Sequence, residues 1–454
     1  MSDLPSRPRE LALAIIDRVD RRKAYADVLL NARLAEAALA PADGALLTRV
    51  VYGTLRWRGR IDWVLGRLLR NPLKDLDPLV RNLLRLGAYE LLFLDRVPAY
   101  ATVNELVALA KRRAGPGKAR LANAVLRRIA GREREEWSPP TASGSAADLA
   151  ALVSHPPWLI DMWQEQFGRE DSRRLMEANN QEAPLVLRAN RLRISRDEIV
   201  QRLCARGIDA RPGTWSPLAV RLRGAASPAE LAEFREGLCQ VQGEASQVVG
   251  LLVDPRPGMR VLDVCAAPGG KATHMAELMD GRGEIVACDV SERGLGRVAE
   301  NARRLRLDCI RTHVCDATRD LPGEAGAFDR VLVDAPCSGL GTLRAHPEIR
   351  WHRAAPDLHR LAALQSALLD RAATRVRPGG VLVYATCTLS RLENEELVEA
   401  FVERRRDFVV DDAAGQIPDG ARTMTSGPCF LALPHRHDTD GFFAARMRRL
   451  PAAA

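Results

Sequence analysis

Apolar residues recur at three-to-four spacing near the start of the chain: Leu11, Ala14, Ile15 and Val19, then Val28, Leu29 and Ala32. That is the period of a helix with one buried face. The spacing continues through 46–69, 79–94 and 102–113, and predicts that 8–130 are almost entirely helical, an all-α bundle. Charged residues after Gly131 then give way to small polar ones with two prolines, which predicts an exposed linker over 138–153. Residues 154–236 mix periods. Leu185-Val-Leu-Arg-Ala-Asn reads as a strand, Ser195-Arg-Asp-Glu198 is a capping box opening a helix through Cys204, and β-like pieces follow near Ile208 and Val220. Ser227-Pro-Ala-Glu230 is a second capping box, with proline at the first helical position. This is a small α+β module. From 237 to 454, short apolar runs over 260–265, 283–289, 309–316, 328–334 and 380–387 alternate with helical stretches. Buried strands of a parallel sheet read this way, so a doubly wound α/β domain is expected. The chain of 454 residues is thus multidomain: 1–137, a linker over 138–153, 154–236 and 237–454.

A hydrophobic fraction of 46% supplies ample core and excludes a disordered chain. No apolar run approaches the ~18 residues of a spanning helix, so no membrane association is expected. The opening Met1-Ser-Asp-Leu-Pro-Ser-Arg-Pro-Arg-Glu has acids among its bases and no apolar stretch, hence no export signal. Nine cysteines, without a Cys-x-x-Cys pair or a nearby histidine at ligand spacing, argue for reduced thiols in a cytoplasm and against a metal site. The net charge of +9 is unevenly spread: 1–137 hold 26 Lys+Arg against 16 Asp+Glu, the remainder 41 against 42. Basic charge gathered in one third of a chain suits a polyanion such as nucleic acid, or a well-solvated helical surface. Arg56-Trp57-Arg58-Gly59-Arg60 interleaves cations with an aromatic, able either to stack on bases or to serve as bundle core.

Candidate chemistry lies at the ends of the apolar runs. The first closes in Cys265-Ala266-Ala267-Pro268-Gly269-Gly270-Lys271 before a helix. Its glycines allow close backbone approach, and the helix N-terminus offers N–H groups. Asp289, nineteen residues past Gly270, ends the next run, where an acid suits ribose hydroxyls; Asp316 and Asp334 end the two after it. Gly-x-Gly-x-x-Gly is missing, which disfavours a dinucleotide; S-adenosylmethionine needs no pyrophosphate cradle. Asp334-Ala-Pro-Cys337 and Ala385-Thr-Cys387 close two successive strands that are neighbours in the usual order of such a sheet. A thiolate adding to C6 of cytosine makes the otherwise inert C5 able to accept a methyl group. A nearby carboxyl at the N3 edge eases that addition. The remaining cysteines read as core or incidental thiols.

These motifs resemble the RNA (cytosine-5)-methyltransferase family: 265–271, Asp334 to Trp351, and Thr386-Cys-Thr-Leu-Ser-Arg-Leu-Glu-Asn-Glu395. Paired Pro-Cys and Thr-Cys motifs belong to its RNA members, whereas DNA cytosine methyltransferases use the Pro-Cys alone. The resemblance implies a Rossmann-like methyltransferase domain with Cys387 as nucleophile, Cys337 assisting product release, and Lys271 in the active site. It implies S-adenosylmethionine held by 265–271 with Asp289, Asp316 and Asp334. Arg85-Leu-Gly-Ala-Tyr-Glu-Leu-Leu and Ala101-Thr-Val-Asn-Glu-Leu-Val-Ala-Leu-Ala-Lys111 look like NusB, an RNA-binding helical domain; His155-Pro-Pro-Trp158 and Asp440-Gly-Phe-Phe443 also match family signatures. The implied partner is 16S rRNA or an early small-subunit particle, not DNA, met by a monomer. A tRNA cytosine-5 methyltransferase and a non-enzymatic NusB-like RNA-binding factor are the alternatives. Two departures stand out: Val241-Gln-Gly-Glu-Ala-Ser246 has glycine where relatives have aspartate, and Gly294 replaces a basic residue after Asp289.

Overall fold

The computed structural model of the chain describes residues 7–37, 39–139, 145–224 and 228–451. The opening segment through Ser6, part of the expected linker (140–144) and Ser227 of the second capping box lie outside the described residues. Two compact units emerge: Met1–Gln181 with Leu343–Arg353, and Glu182–Thr342 with the chain from Ala354 onward.

The first unit is helical. Its central helix, Pro78–Phe93, is opened by Asp77, whose carboxylate accepts from Leu79 N and Val80 N. Most of that helix is buried, because neighbours pack on several sides. Gly87 permits the close approach, since a Cβ there would meet Leu126 at 2.6 Å. Leu13, Ile16, Val51, Leu84, Leu106 and Leu126 form the core. Glu90, buried in it, is satisfied by Arg9 at 2.8 Å and by the Thr102 hydroxyl at 2.7 Å. The periodic run over 46–69 is two helices, Pro41–Arg56 and Arg58–Leu68, broken at Trp57. Trp57 stacks on Phe93, Arg56 donates to Arg344 O, and the Trp63 indole N–H donates to Asp148. The arginine–tryptophan tract is therefore largely spent on packing within this unit. Leu343–Arg353 also belongs here: Glu348 caps Ala26 N at 3.0 Å, and fully buried Arg350 donates to Ser154 O, Asn179 O and Asn180 Oδ1.

The second unit holds two sheets. Strands β1 (Leu185–Ala189), β2 (Asp209–Pro212), β3 (Ala219–Arg223) and β4 (Cys239–Val241) form an antiparallel sheet in the order β2-β3-β1-β4. It packs on the helix Arg196–Ala205, whose N-terminus carries the reciprocal Ser195–Glu198 capping box. Further along lie β5 (Arg260–Val264), β6 (Glu284–Asp289), β7 (Ile310–Val314), β8 (Phe328–Asp334) and β9 (Val376–Thr386), then β10 (Phe408–Asp411), β11 (Thr425–Ser426), β12 (Cys429–Ala432) and β13 (Phe442–Arg449). The large sheet runs β11-β12-β13-β9-β8-β5-β6-β7, with β10 pairing β13. Strands β9-β8-β5-β6-β7 are parallel, as their apolar runs predict. The C-terminal strands extend the sheet antiparallel from β9, so it is mixed. Apolar clusters cover both faces.

Arg188 on β1 is wholly buried and joins the small sheet to the helix Gly270–Leu278. It pairs with Glu277 at 2.7 Å and donates to Gly270 O at 2.8 Å.

Candidate active site

The carboxyl ends of the parallel strands gather the polar groups. After β5 the chain turns sharply: Cys265 takes φ +63° and Gly269 φ +100°, and a Cβ on Gly269 would lie 3.0 Å from Val298 Cα. Only glycine fits that second position without strain. Ala267 N donates to Asp289 Oδ2 at 3.1 Å, and Asp289 Oδ1 accepts from Ser291 N at 2.8 Å. The acid at the end of β6 thus shapes the loop 265–271. Gly294, one of the two departures, lies against that loop, for a Cβ there would stand 2.8 Å from the Ala267 methyl. The other, Gly243, opens the helix Glu244–Val253 without a side-chain cap.

Asp316 stands two residues beyond the end of β7, slightly later than the apolar run suggests, with its carboxylate accepting from Thr318 N and Oγ1. Asp334 ends β8 and receives the Lys271 ammonium at 2.6 Å. Lys271 is nearly buried and also lies over the Phe442 ring, 4.9 Å from its centroid. The structure therefore brings together 265–271 with Asp289, and Lys271 with Asp334.

Strands β8 and β9 are hydrogen-bonded neighbours with Asp334 opposite Ala385. Their tips carry Cys337 and Cys387, whose Sγ atoms are 3.4 Å apart. Two glycines make the approach possible. Gly341 N donates to Cys387 O at 2.9 Å, Gly441 N donates to Gly341 O at 2.7 Å, and a Cβ on Gly341 would meet Gly441 O at 2.1 Å. Hydrogen bonding to Cys387 is the largest influence raising the Cys337 thiol well above its ordinary value; burial and the charges of Cys387 and Glu393 add to it.

Asp263 escaped the sequence reading. It lies in the middle of β5, fully buried, with neither carboxylate oxygen hydrogen-bonded. Burial pushes its carboxyl well above the carboxylate range, and the charge of Asp334 reinforces this. A lone acid inside an apolar strand run was the available signal. Asp263 senses the charges of Asp334, Asp289 and Lys271. An acid-rich cradle closed by a glycine turn fits a cationic sulfonium cofactor with a ribose diol.

Residues 250–448 match the family described as 16S rRNA methyltransferase RsmB/F. Residues 6–131 match the NusB family, and 155–228 the ferredoxin-like domain of RsmF/B-like methyltransferases. The chain is 35% identical over 445 residues to a probable ribosomal RNA small subunit methyltransferase B of Synechocystis, covering 97% of this chain and 99% of that one. It is 36% identical over 429 residues to ribosomal RNA small subunit methyltransferase B of Vibrio vulnificus, covering 94% and 95%. Among solved structures, PH0851 aligns with a TM-score of 0.84 at 27% identity, over 98% of this chain and 100% of that one.

Proposed function

The chain belongs to the small-subunit ribosomal RNA methyltransferase B family, and from that membership we propose that it methylates C5 of a cytosine in 16S rRNA through a covalent cysteine–C6 adduct. It is an S-adenosylmethionine-dependent rRNA methyltransferase with a NusB-like domain. The cytosine, the carbon and the adduct are what the site chemistry adds. The observation that carries them is the pair of thiols, Cys337 and Cys387, 3.4 Å apart on adjoining strand tips.

Residues 265–271, Asp289, Asp316 and Asp334 would hold the cofactor, which supplies an electrophilic methyl group when bound. Cys387 attacks C6 as a thiolate, and the C5–C6 π pair moves toward C5. Asp334, oriented by the Lys271 ammonium, binds the N3 edge and stabilises the pyrimidine as charge enters it. C5 then takes the methyl group. Completing the cycle requires loss of the C5 proton and expulsion of Cys387, and Cys337, beside Cys387, is placed to assist that release. Its high affinity for a proton owes most to Cys387, through their contact and through charge.

A single chain carries every residue named, so a monomer suffices. The second thiol favours RNA over DNA, and nine cysteines held as thiols suit a cytoplasmic setting. We assign 1–137 to RNA binding, 154–236 to the small module and 237–454 to methyl transfer.

Incubating the protein with 16S rRNA and methyl-labelled S-adenosylmethionine, followed by nucleoside mass spectrometry, tests the assignment. Label in 5-methylcytidine is expected, with tRNA a poor substrate. Label in another base or in ribose would overturn it.

A further inference from the structure

Both cysteine loops end on one buried acid. Glu393, in the short turn after Cys387, is fully buried. Its Oε1 accepts from Ser338 N at 2.8 Å and from Gln365 Nε2 at 2.9 Å. Its Oε2 accepts from the Ser338 hydroxyl and, at 3.4 Å, from Thr388 Oγ1. Ser338 and Thr388 directly follow the two cysteines, and their hydroxyls are 2.6 Å apart. Gln365 also donates to Pro336 O at 3.0 Å, so the residues on both sides of Cys337 are tied to this cluster. Asn394 does the same for Cys387: it accepts from the Thr386 hydroxyl at 2.6 Å and donates to Thr388 O at 3.0 Å. The Tyr384 hydroxyl fixes the turn itself, donating to Glu393 O at 2.6 Å.

We propose that Glu393 is a positioning residue whose carboxylate clamps the Cys337 loop to the Cys387 loop and sets the separation of the two sulfurs. The chemistry of the position requires an acid. Four neutral donors converge on two oxygens, and an ionised carboxylate is acceptor-only. An amide of the same shape must turn an N–H₂ toward one pair of donors, leaving buried groups unpaired. The negative charge also discourages ionisation of Cys337 while Cys387 is the nucleophile. The clamp rests on the reading of these cysteines as the reacting thiols, and the test separates the two ideas.

In the full-length protein, diamide, which takes two hydrogens from a thiol pair, measures how often Cys337 and Cys387 meet. Peptide mapping of the disulfide gives the rate. Glu393→Gln is expected to slow this disulfide at least tenfold. It should lower kcat for rRNA methylation about 100-fold with KM for RNA and the Kd of S-adenosylmethionine within about threefold, since the loop 265–271 is not touched. An unchanged disulfide rate in the folded variant would overturn the clamp. A slowed disulfide with normal methylation would uphold the clamp and overturn the cysteine chemistry. Thr388→Val removes one donor and should slow the disulfide about threefold; if Glu393→Gln does not fold, an unchanged rate in Thr388→Val overturns the proposal.

Discussion

Lys271 shows how one side chain couples the loop 265–271 to the end of β8. It is the only lysine beyond residue 118, opens the helix after the glycine turn, and reaches Asp334 at 2.6 Å. Its ammonium lies over the Phe442 ring, 4.9 Å from the centroid, and methionine keeps the apolar reach of the side chain but not the charge. Lys271→Met leaves Asp334 without its cation, and loss of a properly held acid–base group costs about 10²–10⁴ in rate. We expect kcat/KM for methylation to fall at least 100-fold, with 5-methylcytidine formation as the readout. A variant within a few-fold of wild type would remove Lys271 from the mechanism. This residue, the strand-end acids and the two cysteines were legible because motif and strand end coincide in the sequence. Asp263 and the hydrogen bonds of Glu393 were not. A buried acid inside an apolar run gives no local hint of its partners, and those of Glu393 lie up to 55 residues away.

At the scale of elements, the helix Gly270–Leu278 carries more than the cofactor turn. His274, on its buried face, has neither ring nitrogen hydrogen-bonded and packs where Gly250 has no side chain. Burial pushes its imidazole well below the ordinary value, and the charges of Arg188 and Arg191 add to this. The unfolded chain takes up a proton below about pH 6.5 that the folded chain refuses. Stability contributed by neutral His274 is therefore full above that pH and declines as pH falls, by up to about 1.4 kcal/mol per unit. Thermal melts at pH 7.5 and 5.5 should show a smaller acid-induced drop in Tm for His274→Leu than for wild type. Equal drops would mean that the buried ring is protonated in the fold. The parallel strands were readable because each is a short apolar run bounded by turn residues. The antiparallel edge was not: β11 has two residues and β12 four, and β13 ends in arginine-rich sequence although it pairs with β9. The run over 46–69 concealed its break because Trp57 keeps the apolar spacing while the backbone leaves the helix.

For the whole molecule, helical, mixed and α/β segments could be told apart by hydrophobic period alone. Long-range chain path could not. Leu343–Arg353 follows the Cys337 motif in sequence yet belongs to the helical unit, where Arg350 and Glu348 are buried among groups 170 to 322 residues earlier. The basic excess of the N-terminal third is likewise only partly free for a polyanion: Arg9, Arg56 and Arg85 are buried and paired within the bundle. Among the described residues no helix is long and apolar enough to cross a membrane. What unites these parts, on the proposed function, is the demand that two thiols meet one base. The most direct measurement uses Cys337→Ala with 16S rRNA and S-adenosylmethionine, separated under denaturing conditions and digested for mass spectrometry. The account predicts a denaturant-stable protein–RNA adduct, with methylated cytosine joined to Cys387, that accumulates because the step served by Cys337 is missing. A folded variant that turns over normally and leaves Cys387 unmodified would contradict it.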